Sequence, residues 1–132
     1  MDFDEFIQMV EDDFNLEMHN LETKLLKIPN LHSKYLKFFY KEKGKLIELE
    51  RELRELYRKK WYFYKDEYEY KLELKHIEWH IESDEEYSPL LFKFNKQKQR
   101  VDFFESLVKK SNTLSFDIKN LIEYKKFLSG VA

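Results

Sequence analysis

Apolar residues recur at steps of three and four over most of this chain, which is the period of an amphipathic helix. Between Lys41 and Tyr64 the residues Leu46, Leu49, Leu53, Leu56 and Phe63 fall on one seam, interrupted by Lys60 where an apolar residue is due. The remaining faces of that stretch are charged. Glu50 with Arg54, Arg51 with Glu55 and Glu55 with Lys59 stand four apart, each pair contributing about 0.3 to 0.5 kcal/mol if helical.

Elsewhere the pattern is patchier. Phe3, Phe6, Ile7 and Val10 give residues 2–26 one short apolar face, broken by Asp12, Asp13 and Glu17, which predicts a short helix and a loose connection. Pro29 reads as a breaker, with a new helix starting near Asn30 or Ser33 and carrying Tyr35, Leu36, Phe38, Phe39 and Tyr40. Gly44 is a weak point in it, costing about 1 kcal/mol relative to alanine, and a place for a bend.

Residues 66–81 fit two periods. Tyr68, Tyr70, Leu72 and Leu74 alternate like a strand, whereas Tyr70, Leu74, Ile77 and Ile81 repeat like a helix, and only the helical repeat spans the whole segment. Ser83-Asp84-Glu85-Glu86 has capping-box spacing, and Ser88-Pro89 offers a second helix start. A strong helix then carries Leu90, Phe94, Val101, Phe104 and Val108, with Phe103 and Leu107 widening its apolar face. Ser111-Asn112-Thr113 reads as a turn into a last helix with Leu114, Ile118, Leu121, Ile122 and Leu128, stopped by Gly130.

The expected fold is mainly α: a long helix with a C-terminal αα-hairpin, and a short strand or extended piece left open near 66–75. Three regions follow: an acidic arm with a short helix (1–28), a long-helix region (29–82) and a C-terminal hairpin (83–132). The hairpin has apolar surface to spare, so Leu90, Phe94, Val101, Phe104, Leu107, Val108, Ile118, Leu121 and Ile122 are the candidates for self-association.

Composition agrees with helices: 38% of the residues are charged and 17% aromatic, with only two glycines and two prolines in 132 residues. The formal net charge of −2 offers a polyanion no overall attraction, so any such contact must be local. There is no cysteine, hence no disulfide, thiolate nucleophile or cysteine-ligated zinc. The first residues are acidic where a signal peptide would be basic, and no apolar run approaches the ~20 residues of a membrane span, so the expectation is a soluble intracellular protein without membrane contact.

The local patch is Arg58-Lys59-Lys60 followed by Trp61-Tyr62-Phe63-Tyr64. Cations suit a phosphate backbone and flat rings suit unstacked bases, a combination that serves single-stranded nucleic acid. A basic helix end also complements the helix dipole, and aromatics also fill cores. His76 and His80 stand four apart, but Ile77 replaces the glutamate of the metalloprotease pattern and Glu73-Leu74-Lys75-His76 has no second copy for a di-iron set. No catalytic residue, metal or cofactor is therefore expected, and the main rival reading is a structural coiled-coil adaptor without DNA.

Three blocks resemble the UvsY family of phage recombination mediators: Leu26-Lys27-Ile28-Pro29-Asn30-Leu31-His32-Ser33-Lys34-Tyr35-Leu36, the basic-then-aromatic segment Leu56 to Tyr64, and Val101 to Leu107 together with Ser115 to Gly130. Together they cover most of the chain from residue 26 onward. The resemblance implies a non-enzymatic ring, a hexamer or heptamer, that binds single-stranded DNA and helps a phage recombinase of the UvsX kind load onto strands covered by single-strand-binding protein, in the cytoplasm of an infected bacterium. It also implies that two basic positions separated by one residue contact DNA, here Arg58 and Lys60, with Arg51, Arg54, Lys59 and Trp61 beside them. In one place the chain departs from the family: relatives carry a glycine and several more residues after the aromatic pair, where this chain goes directly into Lys65-Asp66-Glu67-Tyr68.

Overall fold

The computed structural model describes residues 2–130, and these residues form four α-helices with no strand among them. Helix α1 is Phe3–Phe14, α2 is Leu21–Tyr62, α3 is Leu74–Glu82 and α4 is Tyr87–Leu128, with a π-helical turn at Phe63–Glu67. Contacts group the chain into two units, Met1–Lys37 with Glu105–Ala132, and Phe38–Phe104. Both long helices contribute to each unit.

The length of α2 corrects the expected break at Pro29, which lies inside the helix. Proline there removes one backbone bond and costs about 3 kcal/mol. Leu21 and Tyr35, on either side of it, are fully buried, so packing on both flanks offsets that cost. Gly44 also lies within unbroken helix, exposed and with open space around it.

Counting from Leu21 in alternating steps of four and three, every position as far as Lys60 is buried or half-buried. That is a heptad seam along the whole helix. It contains His32, Glu42 and Lys60; the first two meet Ser111 and Gln97 on α4, and Lys60 meets Asp84 just before α4 begins. The seam is therefore much longer than its run of leucines.

In the unit of α1 with the ends of the chain, Asp2 caps α1 by a capping box, its Oδ1 accepting from the Glu5 N–H at 2.8 Å. Phe6 and Phe14 are buried, and the Phe14 ring packs 5.4 Å from Tyr35. The Tyr35 hydroxyl and the Lys34 ammonium both donate to Asp13 Oδ2, at 2.8 and 2.6 Å. Burial, reinforced by that carboxylate, holds the Tyr35 hydroxyl protonated far above the usual tyrosine range. Across from α2, His32 Nδ1 lies 2.9 Å from Ser111 Oγ.

Ser111 carries a second correction. The turn expected at Ser111-Asn112-Thr113 is continuous helix, so α4 is one rod where an αα-hairpin is expected. Hydroxyl side chains favour turns because they bond to nearby backbone. Here Ser111 and Thr113 do so without leaving the helix, donating to the carbonyls of Val108 and Lys110 three residues back at 2.7 and 3.1 Å. Gly130 does end the rod as expected, at a φ of 75°.

In the unit Phe38–Phe104, the later part of α2 packs antiparallel against the earlier part of α4: the rings of Phe38 and Phe104 stack at 5.5 Å, and those of Tyr57 and Tyr87 meet at 5.8 Å. Glu42 is buried between them. It accepts from Gln97 Nε2 at 2.8 Å and lies 2.9 Å from Arg100 Nε. Burial opposes its charge, but the Gln97 amide and the Arg100 guanidinium outweigh that and hold the carboxyl below its ordinary range.

Residues 66–81 divide between the two readings of the sequence. The π-helical turn ends at Glu67, Tyr68 is extended, and α3 begins only at Leu74. Of the helical repeat, Ile77 and Ile81 are buried but Tyr70 and Leu74 are exposed. Ile77 and Ile81 join Leu53, Tyr64 and Tyr87 in a core that Leu56, Trp61, Leu90 and Phe94 complete. Asp84, not Ser83, caps α4, its Oδ1 accepting from the backbone of Glu86 and Tyr87. Ser83 closes α3 instead, donating to the Trp79 carbonyl at 3.0 Å.

Candidate nucleic-acid interface

With the seam of α2 turned inward, its opposite face is fixed by the same periodicity. Tyr40, Gly44, Ile47, Arg51, Arg54, Arg58 and Tyr62 follow one another by three or four residues and are all exposed. The chain thus carries a line of three arginines, ended by one aromatic ring on each side. Between Phe38 and Tyr62 there are eight Lys and Arg against five Glu, so a chain of net negative charge presents a cationic face here.

Two of the arginines are tethered. Arg51 Nη2 lies 3.0 Å from Glu48 and Arg54 Nη2 lies 2.8 Å from Glu50. The Glu50 pair is the expected one, whereas Arg51 turns back to Glu48 instead of reaching Glu55. Both pairs are well exposed, so they hold the side chains loosely and leave them free to exchange a carboxylate for a phosphate. Arg58 and Lys59 are in no ion pair among the described residues, and with Glu55 and Tyr62 they line one shallow depression.

Lys60 is placed differently. Two residues from Arg58 on a helix is a rotation of ~200°, so the pair expected to act together points to opposite sides. Lys60 occupies the seam, its side chain only 16% exposed, with Nζ 3.3 Å from both Asp84 Oδ2 and Glu86 Oε1. Burial opposes its charge, but the two carboxylates overcome that and raise its pKa. Asp84 is held ionised against its own burial by the Tyr64 hydroxyl, two backbone N–H groups and Lys60. The Tyr64 hydroxyl, buried and donating to Asp84 at 2.7 Å, is pushed up to about 12.

Trp61 likewise turns inward and packs on the core around Ile77 and Ile81. Of the rings in this run, Tyr62 is the most exposed, at 54%, with Phe63 less so at 38% and lying against Lys60. Nothing in the sequence singles out Tyr62, because the four aromatics Trp61 to Tyr64 stand in an unbroken row. The phase of the seam separates them. His80 lies between the rings of Tyr64 and Tyr68, 5.4 Å from each, and His76 lies 5.0 Å from Trp79, so both histidines are engaged with aromatics.

The residues expected to join one copy to another are largely used within one chain. Val101, Phe104, Leu107 and Ile118 are buried, Leu90 and Phe94 pack on the core beside α3, and Val108, Leu121 and Ile122 are half-buried. The apolar residues that α4 leaves exposed are others: Phe92, Phe116, Tyr124, Phe127 and Leu128. No helix among the described residues is long and apolar enough to cross a membrane.

No curated protein and no solved structure matches the chain. Over residues 9–131 it matches the family model described as the recombination, repair and ssDNA binding protein UvsY. A match spanning α2, the aromatic turn, α3 and α4 covers every element that builds the cationic face, and the chain belongs to the UvsY family of recombination, repair and single-stranded DNA-binding proteins.

Proposed function

We propose that this protein is a recombination mediator without catalytic activity. It binds single-stranded DNA as a homo-oligomeric ring and helps the phage recombinase load onto strands covered by single-strand-binding protein, in the cytoplasm of the infected host. The observation that carries the reading is the outward line Arg51, Arg54, Arg58 and Tyr62 on α2, with Lys59 at its edge, in a family whose members bind single-stranded DNA.

Three or four cations per chain give weak, salt-sensitive binding, because each phosphate neutralised releases a counterion. Repetition of the same face around a ring raises the effective concentration of the next handhold, so one strand is held by many weak grips. Loading follows if the held strand has a shape that the recombinase binds and the single-strand-binding protein does not, since a ligand shifts an equilibrium only by its differential affinity. The surface that joins the copies would be the outer aromatic residues of α4, Phe116, Tyr124 and Phe127, which remain exposed in one chain.

The experiment measures recombinase assembly on a strand covered by single-strand-binding protein, with and without this protein, alongside its mass by sedimentation. Faster assembly by an oligomer supports the proposal; an inert oligomer or a monomer contradicts it.

A further inference from the structure

The second tryptophan is the largest exposed ring on α3. Trp79 is 61% exposed, while Trp61 is packed on the core. His76 lies against Trp79, and with Leu72, His80 and Ser83 they line a shallow depression; Tyr70 and Leu74, close by in sequence, are also exposed. This apolar surface sits in acidic surroundings: between Lys65 and Glu86 there are nine Asp and Glu against three Lys. Asp84 and Glu86 are engaged with Lys60, but Glu78 and Glu82, which flank Trp79, are exposed and in no ion pair among the described residues.

A phosphate backbone is repelled by such a surface, so Trp79 does not serve the DNA strand. An arginine is attracted to it twice over, by the face of the indole and by carboxylates that accept its forked donors. A matching set of arginines lies on α2: Arg51, Arg54 and Arg58, spread over about 10 Å, against the ~12 Å of α3 from Leu74 to Glu82.

We propose that the face of α3 around Trp79 docks the arginine face of α2 of a second copy of this chain. This rests on the reading of that α2 face as the DNA grip and adds a consequence to it: single-stranded DNA and the second copy compete for the same arginines. The contact is heterologous, one surface against a different one, and holds chains together when no strand is present. DNA then releases Trp79 as it takes the arginines.

The test uses the full chain carrying Trp61→Phe, in which Trp79 is the remaining tryptophan, at low ionic strength. Acrylamide quenching of Trp79 is expected to fall as protein concentration rises and to recover on addition of oligo-dT. Glu78→Arg with Glu82→Arg should abolish the concentration dependence without weakening oligo-dT binding. Arg51→Glu with Arg54→Glu should abolish it too, and an equimolar mixture of the two reversed chains should bring the protection back. The same mixing, read by sedimentation in chains that keep Trp61, makes the result independent of that substitution. Quenching that ignores concentration, or a mixture no better than either reversed chain alone, overturns the docking. If wild-type protein ignores oligo-dT while the mixture still regains protection, the docking holds and the DNA reading of α2 falls.

Discussion

Lys60 Nζ and Asp84 Oδ2 are 3.3 Å apart across the end of α2 and the start of α4, and that contact separates two lysines that are adjacent in sequence. Lys59 faces solvent beside Arg58. Lys60 closes the seam and stabilises the cap of the next helix. Substitution at the two sites should therefore fail in different assays. Lys60→Ala is expected to lower stability by about 2 to 3 kcal/mol, the cost of removing one partner of a charge-assisted contact that is largely buried. Arg58→Ala should change stability by less than about 0.5 kcal/mol, as is usual for a surface position. Urea denaturation of each variant checks both figures.

Glu42 is the more demanding polar residue of the seam, with Gln97 and Arg100 both committed to it. Glu42→Ala removes the buried carboxylate that Gln97 and Arg100 share and is expected to cost about 3 kcal/mol. Replacing Glu42, Gln97 and Arg100 together by leucine should recover most of that loss, because matched apolar groups avoid the desolvation of charge. A triple variant no more stable in urea than Glu42→Ala would show that buried charge is not the reason for the cost.

The two neighbouring rings Trp61 and Tyr62 offer a similar contrast. Tyr62→Ala should weaken oligo-dT binding by about 1 to 3 kcal/mol, the usual worth of a ring that stacks a base, with little change in melting temperature. Trp61→Ala should do the reverse and cost about 3 kcal/mol of stability, since its ring completes the core beside Ile77 and Ile81. Fluorescence anisotropy and thermal melting, run on the same two variants, separate these outcomes.

Stability should also fall in alkali. The Tyr64 pKa is raised to about 12 in the fold by burial and by its donation to Asp84, so the neutral hydroxyl is favoured by folding. That stability is fully present below the unfolded tyrosine value near 10 and is lost as pH rises from there through about 12. Lys60, raised as well, acts in the same direction. Tyr64→Phe gives up the hydrogen bond but removes the Tyr64 part of the alkaline loss, so the gap between variant and wild type in urea should narrow as pH rises from 9 toward about 11. A gap that stays constant over that range contradicts the assignment.

The helical class and the existence of a long helix were legible from the three-four pattern, and its cationic-aromatic end from the order of residues 58–64. The full seam was not, because His32, Glu42 and Lys60 look like breaks when only apolar residues are counted. Their partners Ser111, Gln97 and Asp84 lie some 25 to 80 residues further along the chain, out of reach of any local window. The same cause produced the false turn at Ser111: its hydroxyl bonds within its own helix and meets His32 across the seam, which a propensity for turns does not register. Lys60 held the missing clue. A lysine where an apolar residue is due marks a position turned inward toward an acid, so Arg58, two residues away, had to face outward.

The proposed grip of the outward α2 arginines on a single strand can be measured by titrating labelled oligo-dT with wild-type protein and with Arg54→Ala plus Arg58→Ala over a range of salt concentrations. The account predicts weaker binding and a plot of log affinity against log salt that is shallower by about 0.7 for each phosphate contact removed. An unchanged affinity with an unchanged slope would place the DNA on some other face of the protein.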